Sequence, residues 1–258
     1  MAEILRVDSL GKSFAGVAAV ADATFEVEER SITALIGPNG AGKTTTFNVI
    51  SGSMPGDHGS IWYGGHDIGG LRGYQIARLG LMRTFQMPRV MVAMTVMDNL
   101  LLAGREHPGE RLIGLLRPHA SRQTESELRS RARELLERVG LADKVNEYGG
   151  ALSGGQRKLL ELARLLMARP RMVLLDEPLA GINPALGLKL MKFIHQVRAE
   201  DATTFLFIEH DIGAVMRNAD HVVVMAQGAV IARGTPDEVR HDPAVVDAYL
   251  GTKRMVIP

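Results

Sequence analysis

No cysteine occurs among the 258 residues. The chain therefore has no disulfide, no thiolate metal site and no cysteine nucleophile. A chain this long buries most of its apolar surface and needs no such staple. That composition fits a reducing compartment. No uninterrupted apolar run approaches the ~18 residues that a membrane helix needs. The opening Met-Ala-Glu-Ile-Leu-Arg-Val-Asp is acidic at Glu3 and Asp8 and lacks the apolar stretch of a secretory signal. Any membrane role is expected to be borrowed from a partner. An excess of either charge is missing too: 30 Lys and Arg face 29 Asp and Glu, a formal net charge of +1. This argues against a nucleic-acid partner, which usually demands a basic surplus. There is no internal repeat and no low-complexity tail.

What is present is an ordinary globular balance, 46% hydrophobic and 23% charged. Ile4 to Val7 alternates like a short strand, and Val17 to Val27 holds one or two more. Ile32-Thr33-Ala34-Leu35-Ile36 is a compact apolar run, as in a strand buried on both faces. A helix is expected from Thr44 to Ile50. Residues 52–73 are rich in glycine and suit hairpins and turns. Residues 104–121 suit a surface loop or a short helical insertion. From Glu125 to Val139 the apolar positions Leu128, Ala132, Leu135, Leu136 and Val139 share one helical face, with Glu127–Arg131 and Glu134–Arg138 spaced as i,i+4 pairs. Further on, helices are expected at Gly154–Ala168 and Pro184–Val197, and strands at Met172–Leu175, Thr203–Ile208 and Val222–Met225. Strand and helix alternate through this half, which predicts a mainly parallel α/β sheet.

Gly37-Pro38-Asn39-Gly40-Ala41-Gly42-Lys43-Thr44 matches a phosphate-binding loop, with a buried strand before it and a helix after it. Its glycines let backbone N–H groups approach phosphates that a side chain would block. Lys43 can reach the β- and γ-phosphates, and the Thr44 hydroxyl can ligate Mg²⁺. Met172-Val173-Leu174-Leu175-Asp176-Glu177-Pro178 delivers two carboxylates at the C-terminal end of a strand, where α/β sheets bind ligands. Alone, such a pair is usually a solvated strand end. Beside a phosphate loop, Asp176 suits the Mg²⁺ shell, and Glu177 is placed to polarise a water for attack on the γ-phosphate. Leu152-Ser153-Gly154-Gly155-Gln156 reads as a small turn opening a helix, with Ser153 as N-cap. That is either an anion site or a plain helix start.

Taken together, these three segments resemble the ATP-binding cassette family over about residues 4–251. The resemblance implies an α/β fold: a phosphate-loop NTPase of the cassette type, with a mainly parallel core, an antiparallel β subdomain and a helical subdomain. It implies one ATPase domain over residues 1–258, its core and β subdomain at about 1–86 and 169–258 and its helical part at about 87–168. ATP and Mg²⁺ are the implied cofactors. Residues Gly37 to Lys43 with Thr44 and Thr45 would hold the nucleotide. Ser153, Gly154, Gly155 and Gln156 would bind the γ-phosphate of ATP held by a second cassette. Phe14 stands where an aromatic stacks on adenine, or else is a core phenylalanine. Gln86, in Arg83-Thr84-Phe85-Gln86, resembles the glutamine that contacts Mg²⁺ or water and senses the membrane partner. His210, in Ile208-Glu209-His210-Asp211, resembles the switch histidine. Thr44, Gln86 and Asp176 are the implied metal ligands; Lys43, Gln86, Glu177 and His210 the implied catalytic set.

Two positions depart from the family pattern. Arg30-Ser31 replaces the usual Gly-Glu turn, and Asn183 replaces an aspartate after Glu177 in Ala180-Gly181-Ile182-Asn183. Arg83-Thr84-Phe85-Gln86, Met94-Thr95-Val96, Asn99-Leu100, Gly234-Thr235-Pro236 and Ala248-Tyr249-Leu250-Gly251 are similar to the larger ATPase subunit of branched-chain amino-acid importers. The expectation is an ATPase at the cytoplasmic face of the inner (plasma) membrane. Its expected partners are a permease, a second ATPase subunit (paralogue or self) and, indirectly, a solute-binding protein. Met87 to Met97 is expected either to dock the permease or to pack inside. Urea and amide importers and lipopolysaccharide or lipid exporters share much of this pattern. A DNA-acting cassette ATPase fits less well, because it carries a long coiled coil where this chain has only about a hundred residues.

Overall fold

Three five-residue runs set the centre of the structure, a computed structural model that describes residues 2–84, 89–104 and 118–250. β3 (Ile32–Ile36), β7 (Met172–Asp176) and β8 (Thr204–Ile208) are buried at every position. That is the signature of strands covered on both faces. β8 lies between β3 and β7, and all three run parallel. β6 (Leu81–Arg83) extends the parallel set beyond β7, and β9 (His221–Ala226) extends it beyond β3. β10 (Ala229–Gly234) folds back antiparallel on β9.

A second part of the sheet is antiparallel. β1 (Glu3–Phe14) pairs with β2 (Val17–Glu28) on one side and with β4 (His58–Tyr63) on the other, and β5 (His66–Asp67) closes the edge. β10 meets β2 through a single parallel register pair. Among the described residues the ten strands take the order β5-β4-β1-β2-β10-β9-β3-β8-β7-β6. Helix α1 (Lys43–Ile50) follows β3 and buries Phe47, Val49 and Ile50 in the core. α2 (Gly73–Leu79) precedes β6, and α7 (Ile212–Asn218), α8 (Pro236–Arg240) and α9 (Pro243–Leu250) follow β8 and β10.

The chain divides into two compact units. One comprises 1–83, 171–178 and 195–258, and the other 84–170 and 179–194. The second is helical. α3 (Val96–Ala103), α4 (Pro118–Arg138) and α5 (Gly154–Met167) pack on one another, and Leu100, Leu135, Leu136, Leu159, Leu160 and Ala163 on them are buried. The first turns of α6 (Pro184–Asp201) belong to this unit too. Among the described residues, no helix is long and apolar enough to cross a membrane.

Several boundaries differ from those read in the sequence. β1 runs to Phe14 rather than stopping at Val7 because Ser9, at φ 49°, makes a bulge that breaks the alternation without ending the strand. Of the one or two strands read over Val17 to Val27, the structure forms one, Val17–Glu28. α4 begins at Pro118, within the stretch expected as a surface loop or a short helical insertion and ahead of the Glu125 start read from the apolar face, and α6 continues to Asp201. The rest of the expected insertion, residues 105–117, lies outside the described residues. At the turn before β3, Arg30 adopts the left-handed conformation, φ 58°, that glycine would take without strain. The turn survives because Arg30 N–H donates to Thr204 Oγ1 at 2.8 Å and Ser31 Oγ donates to the Glu28 carbonyl at 2.8 Å.

Candidate functional site

β3, β6, β7 and β8 are parallel, so their C-terminal ends emerge on one edge of the sheet. In sheets of this kind that edge binds ligands. Here the four exits carry Gly37, Arg83, Asp176 with Glu177, and Glu209 with His210.

The loop from Gly37 to Gly42 needs its glycines for separate reasons. A Cβ on Gly37 would stand 2.0 Å from the Met225 carbonyl, and one on Gly42 2.4 Å from the Ala19 carbonyl. Gly40, at φ 80°, faces open space instead. Ala41 is buried, its N–H donating to the Pro38 carbonyl at 3.2 Å. No side chain caps α1: its N-cap is Gly42, at φ 98°. The first-turn N–H groups of a helix lack intrahelical acceptors and carry partial positive charge, a fit for phosphate oxygens. Lys43 Nζ folds back onto the loop, donating to the carbonyls of Gly37 at 2.7 Å and Pro38 at 2.9 Å. Burial pushes its ammonium below the usual lysine value, and the charge of Glu177 partly offsets this. Thr44 is exposed and Thr45 half-buried.

Asp176 is buried and ion-paired, its Oδ2 accepting from Arg83 Nη2 at 2.7 Å. Glu177 directly follows β7 in the left-handed region, φ 50°, an unusual conformation for a side chain of this size. Its N–H donates to the Ile208 carbonyl at 3.1 Å, tying it to the end of β8. Its Oε1 lies 2.9 Å from His210 Nε2. Glu177 and His210, 33 residues apart, thus meet over the ends of adjacent strands. A carboxylate held by a histidine can accept a proton from water, and the histidine fixes its direction.

Phe14 is not a core residue: it is 47% exposed at the end of β1. Asp57 fixes that end by accepting from Lys12 Nζ at 2.6 Å and from Ser13 N–H at 2.7 Å. These bonds hold the Asp57 carboxyl below its usual range, the Lys12 bond contributing most. The Phe14 ring is therefore presented to solvent on a braced strand end.

In the helical unit, Ser153 is the N-cap of α5. Its Oγ accepts from Gln156 N–H at 3.3 Å, while Gln156 Oε1 accepts from Ser153 N–H at 2.9 Å, a closed capping box. Gly154 and Gly155 differ. A Cβ on Gly154 meets nothing within 4 Å, whereas one on Gly155 would stand 2.2 Å from Leu186 Cδ2. Gly155 lets α5 lie against the start of α6, and Gly154 faces open space. Gln86 lies outside the described residues.

Three features had no assigned role in the linear reading. Arg83, Asn99 and Tyr249 were legible only as parts of quoted motifs. The Tyr249 hydroxyl is hydrogen-bonded to the backbone of Gly37, and burial pushes its phenol up to about 12. Asn99, fully buried, accepts from Met91 N–H at 2.8 Å and donates to the carbonyls of Met91 and Thr95 at 3.0 and 2.9 Å. It shapes the loop on which Met91, Val92 and Met94 are exposed.

Comparison with known proteins agrees with this geometry. The model of the ABC transporter family matches residues 20–180. The nucleotide-free structure of an ATP-binding cassette from an ABC transporter is 35% identical. It superposes with a TM-score of 0.81, covering 96% of this chain and 99% of that one. Another such cassette, in its ADP conformation, is 34% identical with a TM-score of 0.81, covering 97% and 100%. The chain belongs to the ABC transporter family and is an ATP-binding cassette subunit that couples ATP hydrolysis to transport. Within that family its similarity runs to one branch. A model described as branched-chain amino acid ATP-binding cassette transporter matches residues 229–254. The high-affinity branched-chain amino acid transport ATP-binding protein BraF of Pseudomonas aeruginosa is 44% identical over 96% of this chain and 98% of its own length. The Escherichia coli LivG protein of the same description is 41% identical over the same shares.

Proposed function

We propose that this cassette powers the import of branched-chain amino acids through a separate membrane permease. The observation that carries the reading is the convergence of the phosphate loop, Asp176, Glu177 and His210 on one sheet edge, in a chain 44% identical to an ATP-binding protein of such a system. Lys43 and the loop N–H groups hold the β- and γ-phosphates. Phe14 offers its exposed ring to the adenine. Glu177, aimed by His210, accepts a proton from the water that attacks the γ-phosphate in line.

The donor chemistry fits Mg²⁺. The Thr44 hydroxyl and the Asp176 carboxylate are hard oxygen donors, and Gln86 would add a third. Mg²⁺ commonly takes one or two carboxylates with phosphates and water. When bound, it would neutralise charge on the phosphates. Ser153 and Gly154 act on the nucleotide of a second cassette, so the working unit is a pair, with a paralogue or with itself. The open space beside Gly154, where a Cβ would meet nothing within 4 Å, supports that role.

The cassette is placed peripherally on the cytoplasmic face of the membrane, indirectly served by a solute-binding protein. Its permease docks on the loop that exposes Met91, Val92 and Met94, side chains 39–56% exposed on a backbone held by Asn99. Uptake by vesicles carrying the chain and its permease tests the proposal. ATP-dependent accumulation of leucine is expected. Accumulation of urea or short amides in place of leucine would overturn the substrate assignment.

A further inference from the structure

Arg83 ends β6 in register with Leu174 of β7, two residues short of Asp176. Residues two apart on a strand share a face, so the Arg83 side chain runs along the face that carries the Asp176 carboxylate. Its Nη2 donates to Asp176 Oδ2 at 2.7 Å, with the two side chains only 9% and 6% exposed. The same guanidinium donates through Nη1 to Asn48 Oδ1 at 2.6 Å and Ser51 Oγ at 3.1 Å. It lies 5.7 Å from the ring centre of Phe47. One arginine thus joins the strand bearing Asp176 to the far end of the helix that begins with Lys43 and Thr44.

A buried carboxylate is costly unless it is paired. Arginine stays charged at any working pH and holds a carboxylate in fixed geometry. A divalent cation arriving at Asp176 must share that carboxylate with a buried positive charge already bound to it.

We propose that Arg83 is a positioning residue for the divalent cation: it holds the Asp176 carboxylate in a fixed direction, and its charge sets the cation concentration at which nucleotide binds tightly. The inference rests on the reading of Asp176 as a Mg²⁺ ligand. Arg83 weakens the cation's hold in exchange for a pre-formed site, so the cation stays only where phosphates also hold it.

The test is ADP affinity of the intact chain, titrated with MgCl₂, for the parent, Arg83→Gln, Arg83→Lys and Asp176→Asn. Loss of the neighbouring positive charge in Arg83→Gln is expected to lower the half-saturating Mg²⁺ concentration about tenfold. It should also lower the thermal stability of the cation-free protein, with Mg²⁺ and ADP restoring more than in the parent. Arg83→Lys keeps the charge but not the planar fork, so its half-saturating Mg²⁺ concentration is expected to lie closer to the parent's than that of Arg83→Gln. Asp176→Asn should lose the Mg²⁺ response. An unchanged half-saturation point in Arg83→Gln, with the response lost in Asp176→Asn, overturns the role of Arg83 and leaves the site reading intact. A full Mg²⁺ response in Asp176→Asn overturns the site reading and the inference with it. Should Arg83→Gln fail to fold, Arg83→Met, which also removes the charge, takes its place: a lowered half-saturating Mg²⁺ concentration supports the proposal and a parental value overturns it.

Discussion

Burial lowers the Lys43 ammonium below its ordinary value of 10.5, and the Glu177 carboxylate only partly compensates. A lysine depressed in the fold costs stability while it is charged in both folded and unfolded states. The cost fades as pH rises from the folded value to the unfolded one. Bound phosphate favours the charged form, so its sign is opposite. ADP affinity should hold near neutrality and fall as pH rises through the lowered value, below 10.5. Titrating ADP affinity across that range checks this, and Lys43→Ala should lose both the affinity and the pH dependence. Glu177 carries a different burden. Its left-handed backbone, φ 50°, costs about 1 kcal/mol. The bond to Ile208 and the contact with His210 hold it there, where the carboxylate faces the neighbouring strand end.

Among the elements, α6 shows how a departure from the family pattern is absorbed. Asn183 Oδ1 accepts from Leu186 N–H at 2.9 Å, capping the first turn. Asparagine and aspartate cap about equally well, so the missing charge does not unravel the helix. Asn183→Asp should change stability by less than about 0.5 kcal/mol in urea unfolding. A larger change would mean that the asparagine amide has work beyond the cap. The same scale shows what the linear pattern carried. β3, β7 and β8 were legible because strands covered on both faces are apolar throughout. α5 was legible because a capping serine, Ser153, stands at its start; the reciprocal bond from Gln156 emerged only in the structure. The length of β1 was not, since the bulge at Ser9 interrupts the alternation on which a strand is recognised. The start of α4 was not, since the first residues after Pro118 carry no apolar stripe. Arg83 was readable as a motif letter only: its partner Asp176 lies 93 positions away, and their meeting depends on β6 pairing with β7.

At the scale of the molecule, the proposed nucleotide contacts are divided between the two units. The sheet unit carries the loop, Asp176, Glu177 and His210 on one edge, and the helical unit carries a capped helix start with open space beside Gly154. Phe14, left open between adenine and core in the linear reading, is on the surface of the sheet unit. The account's central claim is that this edge hydrolyses ATP with Glu177 accepting the proton. Steady-state hydrolysis by a Glu177→Gln variant, with ATP affinity measured on the same sample, tests it most directly. The account predicts ATP affinity within about threefold of the parent and hydrolysis slower by at least about a hundredfold. Parental hydrolysis at full ATP occupancy would contradict it and move the base to another group.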